Sequence, residues 1–373
     1  MRTKRPLFYA AVALALSGAM TLTACGSNTS SNDKSDSPSG GGGPTVGVIL
    51  PETATSARWE SFDKPMLQQA LRAEGFDADV QNAQGDVQKF TTLADGMIAK
   101  GVKVLIIASI NSEVGSAVAS KAKKAGIPTI DYDRLNLGGS SDYYVSFDNV
   151  KVGELQGQAL ADALKSKPGA EVIEIEGAPT DNNATLFHQG QQNILKPLYD
   201  AGTLKLVRSQ AIDGWDNQKG GTTFEQILTG NGGKVDGVVA ANDGLAGAVI
   251  TVLKKNGLNG KVPVTGQDAT AEGLKAVLRG DQYMTVFKPI LGEAQAAAKL
   301  AAALAKGDKA AADALAVNVS QDPKGKRDVK SVLLQPQTVT RADVKVVTDA
   351  GFVKAADICG GDLASACTEL GIR

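Results

Sequence analysis

The sequence predicts an α/β protein built on two parallel sheets, each covered by helices on both faces. Three observations carry that expectation. Short β-branched runs alternate with amphipathic helical stretches from Thr45 onward, the pattern of parallel strands joined by crossover helices. The repeating units are too many for one ordinary open sheet. Polar side chains also collect where strands end, the edge at which such sheets hold ligands.

The elements follow in chain order. TVGVIL, VKVLIIA, IPTIDY, EVIEIEG, KLVRSQ, DGVVAAND, VPVTGQD and YMTVFKP read as buried strands, bounded by Gly, Pro, Asp and Asn. VGELQGQALADALKS and NNATLFHQGQQNILKPLYD place apolar residues three and four apart, and so read as helices between them. At 373 residues the chain has room for two lobes that each bury a core.

The first 25 residues read as a targeting segment. Arg2, Lys4 and Arg5 form a positive start, and YAAVALALSGAM is apolar but too short for a comfortable membrane span. The following LTAC, Leu22 to Cys25, resembles a bacterial lipobox, which implies lipidation of Cys25 and anchoring to the outer face of the cell membrane. Plain secretion with cleavage near Ala24 is the alternative. Residues 26–44, GSNTSSNDKSDSPSGGGGP, hold no hydrophobic side chain and read as a flexible tether.

Composition narrows the chemistry. A formal net charge of -1 with no long basic run argues against nucleic acid as a partner. Three cysteines and one histidine cannot assemble the usual Cys/His zinc sets, so metal chemistry would fall to carboxylates, and no metal site is expected. Cys359 and Cys367 are close enough in sequence for a disulfide in an oxidising compartment, with free thiols as the alternative.

The polar strand ends are the informative feature. Asp133 and Arg134 follow IPTIDY, and Asp181 and Asn183 follow EVIEIEGAPT. Asn242 and Asp243 follow DGVVAA, Asp268 follows VPVTGQ, and Lys288 follows YMTVF. Any one of the Asp or Asn residues could simply cap the next helix. Together they point to a site. The two tryptophans, Trp59 beside Arg58 and Trp215 in DGW, lie in loops at strand ends with charged neighbours. A sugar calls for this mixture: carboxylates and amides for hydroxyls, cationic donors for ring oxygens, and a flat aromatic face for its C–H surface.

These residues carry a resemblance. ARW at Ala57 to Trp59, DYDR at Asp131 to Arg134, YVSFDNVKVGELQ from Tyr144 and PTDNNATLF from Pro179 match one family in order and spacing. So do DGW at Asp213 to Trp215, ANDG from Ala241, GQDA at Gly266 to Ala269 and VFKP from Val286. The chain resembles the sugar-binding proteins of bacterial ABC importers of the ribose- and galactose-binding class, and among them the D-xylose-binding proteins. That resemblance implies two Rossmann-like lobes of the type I periplasmic binding protein fold, joined by three crossover strands, with the ligand in the cleft. The first lobe would be residues 45–150 and 289–318, the second 151–288 and 319–373. The sugar contacts it implies are Arg58, Asp133, Arg134, Asp181, Asn183, Trp215, Asn242, Asp268 and Lys288. Trp215 and Trp59 would stack on the ring. His188, in LFHQG, stands where a larger basic residue is expected and reads as surface or helix packing. The resemblance implies a monomer that needs no cofactor and meets a permease and ATPase complex.

Two alternatives remain at this point, and a third is excluded. A glycoside hydrolase could use two of Asp133, Asp181, Asp243 and Asp268 as acid and base, although no GxSxG, P-loop, GxGxxG or HExxH pattern occurs. A sensor could present the closed form to a membrane receptor. A sugar-responsive repressor would need a helix-turn-helix where this chain carries an export signal.

Overall fold

The structure is a computed structural model that describes residues 43–373, so the export segment, Cys25 and the tether up to residue 42 lie outside the described residues. In chain order the strands are β1 Thr45–Leu50, β2 Asp77–Asn82, β3 Val104–Ile107, β4 Thr129–Tyr132, β5 Tyr143–Phe147 and β6 Ala170–Glu176. They continue as β7 Leu204–Ala211, β8 Gly237–Ala240, β9 Thr285–Phe287, β10 Asn318–Asp322, β11 Arg327–Leu334 and β12 Gln337–Val339.

A seven-stranded sheet in the order β10-β11-β5-β4-β3-β1-β2 forms the first lobe. All its pairs are parallel except β10 with β11. The second lobe holds a three-stranded parallel sheet, β7-β6-β8, and an antiparallel pair, β9 with β12. Crossover helices pack on the faces: Val48, Val104 and Ile130 meet Ala294, Ala298 and Ala301 of helix Ile290–Ala305 on one side of the first sheet. Ile49, Leu105 and Ile107 meet Phe90, Met97 and Val118 on the other. This two-sided burial is why the central strands read as continuous apolar runs rather than alternating ones.

The chain passes between the lobes three times: from β5 into helix Asn149–Leu164, from β9 into helix Ile290–Ala305, and from β11 to β12. Three differences from the sequence reading follow from sheet position. Residues 319–373 were expected in the second lobe, but 318–334 form β10 and β11 and extend the first sheet past β5. KLVRSQ was expected as a buried strand, yet β7 is the edge of its sheet and half of it faces solvent. VPVTGQD keeps only one ladder bridge, Val264 to Val238, because the segment splits its backbone bonds between β8 and the Tyr283–Phe287 region.

Residues 341–372 wrap the second lobe. Val344, Val347, Phe352 and Ile358 bury against Leu274 and Val277 of helix Ala271–Arg279, and a disulfide joins Cys359 to Cys367 with Cα atoms 5.7 Å apart. Phe352 also stacks on Phe62 of the first lobe at 4.1 Å between centroids, so the tail touches both lobes.

Two glycines let the second-lobe helices meet at backbone distance. A Cβ on Gly153 of helix Asn149–Leu164 would sit 1.9 Å from the Phe187 carbonyl, and one on Gly190 of helix Asn182–Asp200 would sit 1.9 Å from the Val150 carbonyl. Neither obstacle is a movable side chain. Gly190→Ala is therefore expected to lower unfolding free energy by about 1–3 kcal/mol through overpacking. Gly96→Ala, in the exposed interior of helix Val87–Ala99 with open space around it, is expected to raise it by about 0.5–1 kcal/mol. Urea unfolding of both variants checks the pair.

Candidate functional site

β6, β8 and β9 each end in a loop that starts a helix, and the orphan N–H groups there demand acceptors. Asp181 Oδ1 accepts from the Asn183 N–H at 3.0 Å, and Asn242 Oδ1 accepts from the Leu245 N–H at 2.9 Å. The capping and binding readings are both true of these residues. Capping uses one atom of each, which leaves Asp181 Oδ2 and the Asn242 amide nitrogen for the cleft.

Ten sequence-predicted residues come together around one cavity between the lobes: Arg58, Trp59, Asp133, Arg134, Asp181, Asn183, Trp215, Asn242, Asp268 and Lys288. Thr55, Ser56, Phe187 and Gln267 complete its wall. The space among these side chains, counted out to its opening on solvent, is about 350 Å³.

Among the described residues, three of the six non-glycine residues at positive φ lie in this wall: Asp133 at 60°, Trp215 at 58° and Asp268 at 93°. Strained backbone persists only where surroundings over-determine it. Asp133 shows how. Its carbonyl accepts from Tyr144 Oη at 2.9 Å, Ser146 Oγ at 2.8 Å and Asn183 Nδ2 at 2.8 Å. Below the turn, Asp131 accepts from the Asn136 N–H, the Asn136 amide and Ser141 Oγ at 2.9, 2.6 and 2.5 Å. Trp215 packs its six-membered ring against Gly177, where a Cβ would come within 2.1 Å of it.

Arg58 is buried among three carboxylates. Nε and Nη2 meet Asp63 at 2.9 and 2.8 Å, Nη1 meets Asp133 Oδ2 at 2.6 Å, and Nη2 also reaches Glu293 Oε2 at 3.0 Å. Four of its five N–H groups are used, so one on Nη1 is left. Burial works against its charge, but Asp133 and Asp63, then Glu293, outweigh burial and hold the guanidinium firmly protonated. Burial likewise pushes Asp133 up, and Arg58, Lys288 and Arg134 together bring it below the usual aspartate range. Glu293 goes the other way. Its burial and the neighbouring Asp133 raise it well above an ordinary glutamate, and its Oε1 has no partner, as suits a carboxyl that keeps its proton.

Contacts across the cleft join the lobes. Arg134 Nε approaches Asp181 Oδ2 at 3.0 Å, though not aligned for a hydrogen bond. Lys288 Nζ lies 3.0 Å from Asp268 and 3.9 Å from Asp133. The Asn183 amide is engaged at both ends, donating to Asp133 and accepting from Asn149 Nδ2 at 3.0 Å and Tyr144 Oη at 3.3 Å. Its main work is therefore to hold Asp133. Trp59 also differs from expectation: the guanidinium carbons of Arg58 and Arg134 lie 4.5 and 5.1 Å from its ring centroid. The ring is a platform for these cations, and its indole N–H has no partner. Trp215 keeps an aromatic wall, edge-on to Phe187, and donates its N–H to Asp181 Oδ2 at 3.1 Å.

Sequence reasoning missed Gln267, whose Nε2 donates to the Ala241 carbonyl at 3.1 Å while Oε1 is unpartnered. It sits inside the quoted GQDA stretch and was passed over beside the charged Asp268. It also missed Asp63 and Glu293, because their partner Arg58 is a long-range contact in the case of Glu293. Asp243 is turned away from the cavity. Burial pushes its carboxyl up to about 6, and it receives Gln282 Nε2, Thr285 Oγ1 and the Thr270 N–H and hydroxyl. His188 is not in the cavity wall. Among the described residues no helix is long and apolar enough to cross a membrane.

Comparison with known proteins places the chain in a family. The D-xylose-binding periplasmic protein of Escherichia coli strain K12 is 39% identical over 302 residues, covering 81% of this chain and 88% of that one. The protein of the same name from Haemophilus influenzae is 40% identical over 296 residues, covering 79% and 86%. A carbohydrate transporter solute-binding protein from Chloroflexus aurantiacus, solved in complex with D-glucose, superposes with a TM-score of 0.77 at 31% identity, covering 84% of this chain and 97% of that one. These relatives are binding proteins rather than enzymes. Residues 46–309 match the periplasmic binding protein domain, and the chain belongs to that family.

Proposed function

We propose that this chain captures a monosaccharide, with xylose favoured, between its two lobes outside the cytoplasm and hands it to an ABC importer, held to the membrane as a monomer by lipidated Cys25. The observation that carries the reading is the balance of the cavity wall. Three cations, Arg58, Arg134 and Lys288, face three carboxylates, Asp133, Asp181 and Asp268, which suits a neutral ligand. Within that balanced wall, Trp59 Nε1 lacks an acceptor and Gln267 Oε1 a donor, while Arg134 Nε and Asp268 Oδ1 have only an ion-pair partner at 3.0 Å that is not aligned as a hydrogen bond. Buried polar atoms are costly to leave unpaired. A polyhydroxylated ring, whose every hydroxyl both donates and accepts, satisfies both kinds at once.

The same pairs argue against hydrolysis. Asp133, Asp181 and Asp268 each have a cation at 3.0 Å or closer, and a glycosidase acid needs a carboxyl kept protonated in place. Xylose is favoured by the names of the two bacterial relatives, while the solved neighbour holds glucose. Glucose adds one hydroxymethyl group to the xylose ring, so the two are separable by fit alone. Both lobes line the cavity, and ligand therefore favours the closed arrangement by contacting both. Charge-assisted bonds at about 1.5–3 kcal/mol each supply the roughly -8 kcal/mol of micromolar binding with only a few formed.

Four outcomes are expected. In a thermal-shift panel of pentoses and hexoses, xylose gives the largest rise in melting temperature; a larger rise with glucose removes the xylose assignment. Trp215→Ala or Asp268→Ala loses that rise while the protein still unfolds cooperatively, at a lower unliganded melting temperature because each removes a buried contact; unchanged affinity in both discredits the site. Cys25→Ala abolishes incorporation of labelled palmitate in cells. Glu293→Gln tests the buried carboxyl by pH. A raised value in the folded state means that its stability contribution is intact below the ordinary value of 4.5 and is lost as pH rises toward the folded value. Wild type should therefore lose up to about 1.4 kcal/mol per pH unit inside that window relative to Glu293→Gln. Urea unfolding between pH 4.5 and 8 reads the difference, and parallel curves would show that Glu293 is ionised.

A further inference from the structure

A second cluster of chemistry-bearing side chains lies away from the cleft, between β6 and helix Asn182–Asp200. Glu174 and Glu176 are two residues apart on β6, so both point to the same face of the sheet. That face is covered by the helix carrying His188, Gln191, Gln192 and Tyr199. One ligand atom from each of Glu174, Glu176 and His188 lies within 4.8 Å of the other two. Two buried carboxylates side by side in a lobe core are costly unless a positive charge sits with them.

The surrounding hydrogen bonds leave a place for that charge. Gln156 donates its amide to the Ala241 and Gly266 carbonyls, both at 3.1 Å, which fixes its orientation and leaves Oε1 to accept from Gln191 Nε2 at 2.9 Å. The Gln191 amide oxygen is thereby turned onto the carboxylate of Glu176, at 2.8 and 3.1 Å from its two oxygens, with no donor between them. Swapping the amide would only move the conflict to Gln156. Gln191 is wholly buried. Glu174 Oε2, also wholly buried, and His188 Nδ1 have no hydrogen-bond partner. Acceptors on four residues therefore converge, and the contact among them able to share a proton is His188 Nδ1 to Glu176 Oε1, long at 3.5 Å.

We propose that Glu174, Glu176 and His188, with the Gln191 amide oxygen as a fourth donor, form a binding site for a divalent transition-metal ion of the zinc class. Tetrahedral zinc with bonds of about 2.0–2.1 Å holds its ligand atoms roughly 3.3 Å apart, and His188 Nδ1 to Glu176 Oε1 is 3.5 Å. Partners behind the ligands are in place: Glu174 Oε1 accepts from Tyr199 Oη at 2.9 Å and Gln192 Nε2 at 3.0 Å, which holds the carboxylate with its other oxygen free. An entry path exists, because His188 is partly exposed and, with Glu176, Pro179, Thr185 and Ser209, lines a surface cavity. Composition had excluded the usual Cys/His sets; here carboxylates supply two ligands and the lone histidine a third. Bound metal would tie β6 to the helix whose first turn carries Asn183, without touching the cleft.

The test is equilibrium dialysis of untagged, chelator-stripped protein against micromolar zinc chloride, with bound metal measured by mass spectrometry. One zinc per chain is expected, with a rise in melting temperature. His188→Ala, a partly exposed helix position, should weaken binding at least about tenfold and keep the sugar-dependent melting shift as proof of fold. Glu174→Gln should weaken it as well. No retained zinc in wild type, or zinc retained equally by His188→Ala, overturns the site. Loss of the sugar shift in all proteins alike would instead count against the proposed function and leave the zinc result standing.

Discussion

One backbone turn, at Asp133, carries the closed cleft. A left-handed aspartate is unfavourable on its own, and three donors to its carbonyl hold it: Tyr144 and Ser146 from β5, and Asn183 from the other lobe. The side chain so aimed neutralises Arg58, and Arg58 in turn gathers Asp63 and Glu293 from two separate helical segments. Removing Arg58 or Asp133 would leave a buried charge with its compensation reduced, which is the costly way to break such a group. The hinge, the floor of the cavity and the charge of its wall are thus one connected structure.

That connection explains why the wall is both highly charged and suited to a neutral guest. Ion pairs balance its charge, and the atoms left without an aligned hydrogen bond are spread over an indole, a guanidinium, an amide and a carboxylate. Such a set selects by where hydroxyls point rather than by net charge. Phe187 and Trp215 add an apolar side against which the C–H face of a ring can lie. Discrimination among sugars then depends on the orientation of individual hydroxyls.

Much of this was legible in the chain. All ten expected ligand-wall residues meet at one cavity, because open parallel sheets place every strand's carboxyl end on the same edge. What was not legible has one cause. Glu293 lies 235 positions from Arg58, β11 finds β5 only across the whole second lobe, and Trp59 lies beneath Arg134 from a distant helical turn. Local pattern says nothing about partners at such separations. β7 was misjudged as buried for a related reason: whether a strand such as LKLVRSQA is central or at the edge is set by which strands pair with it, and those come from elsewhere in the chain.

The sequence by itself determined the alternation of strands and helices, the division into two lobes, and which polar residues stand at strand ends, since these depend on periodicity and on residues close in the chain. Only the tertiary structure decided what each polar residue does. Asn183 and Trp59 became supports, Gln267 became an open acceptor, and Glu174, Glu176 and His188 became neighbours around a shared point. The physical reason is that the role of a polar atom depends on which of its bonding positions folding has already filled, and those partners come mostly from distant parts of the chain.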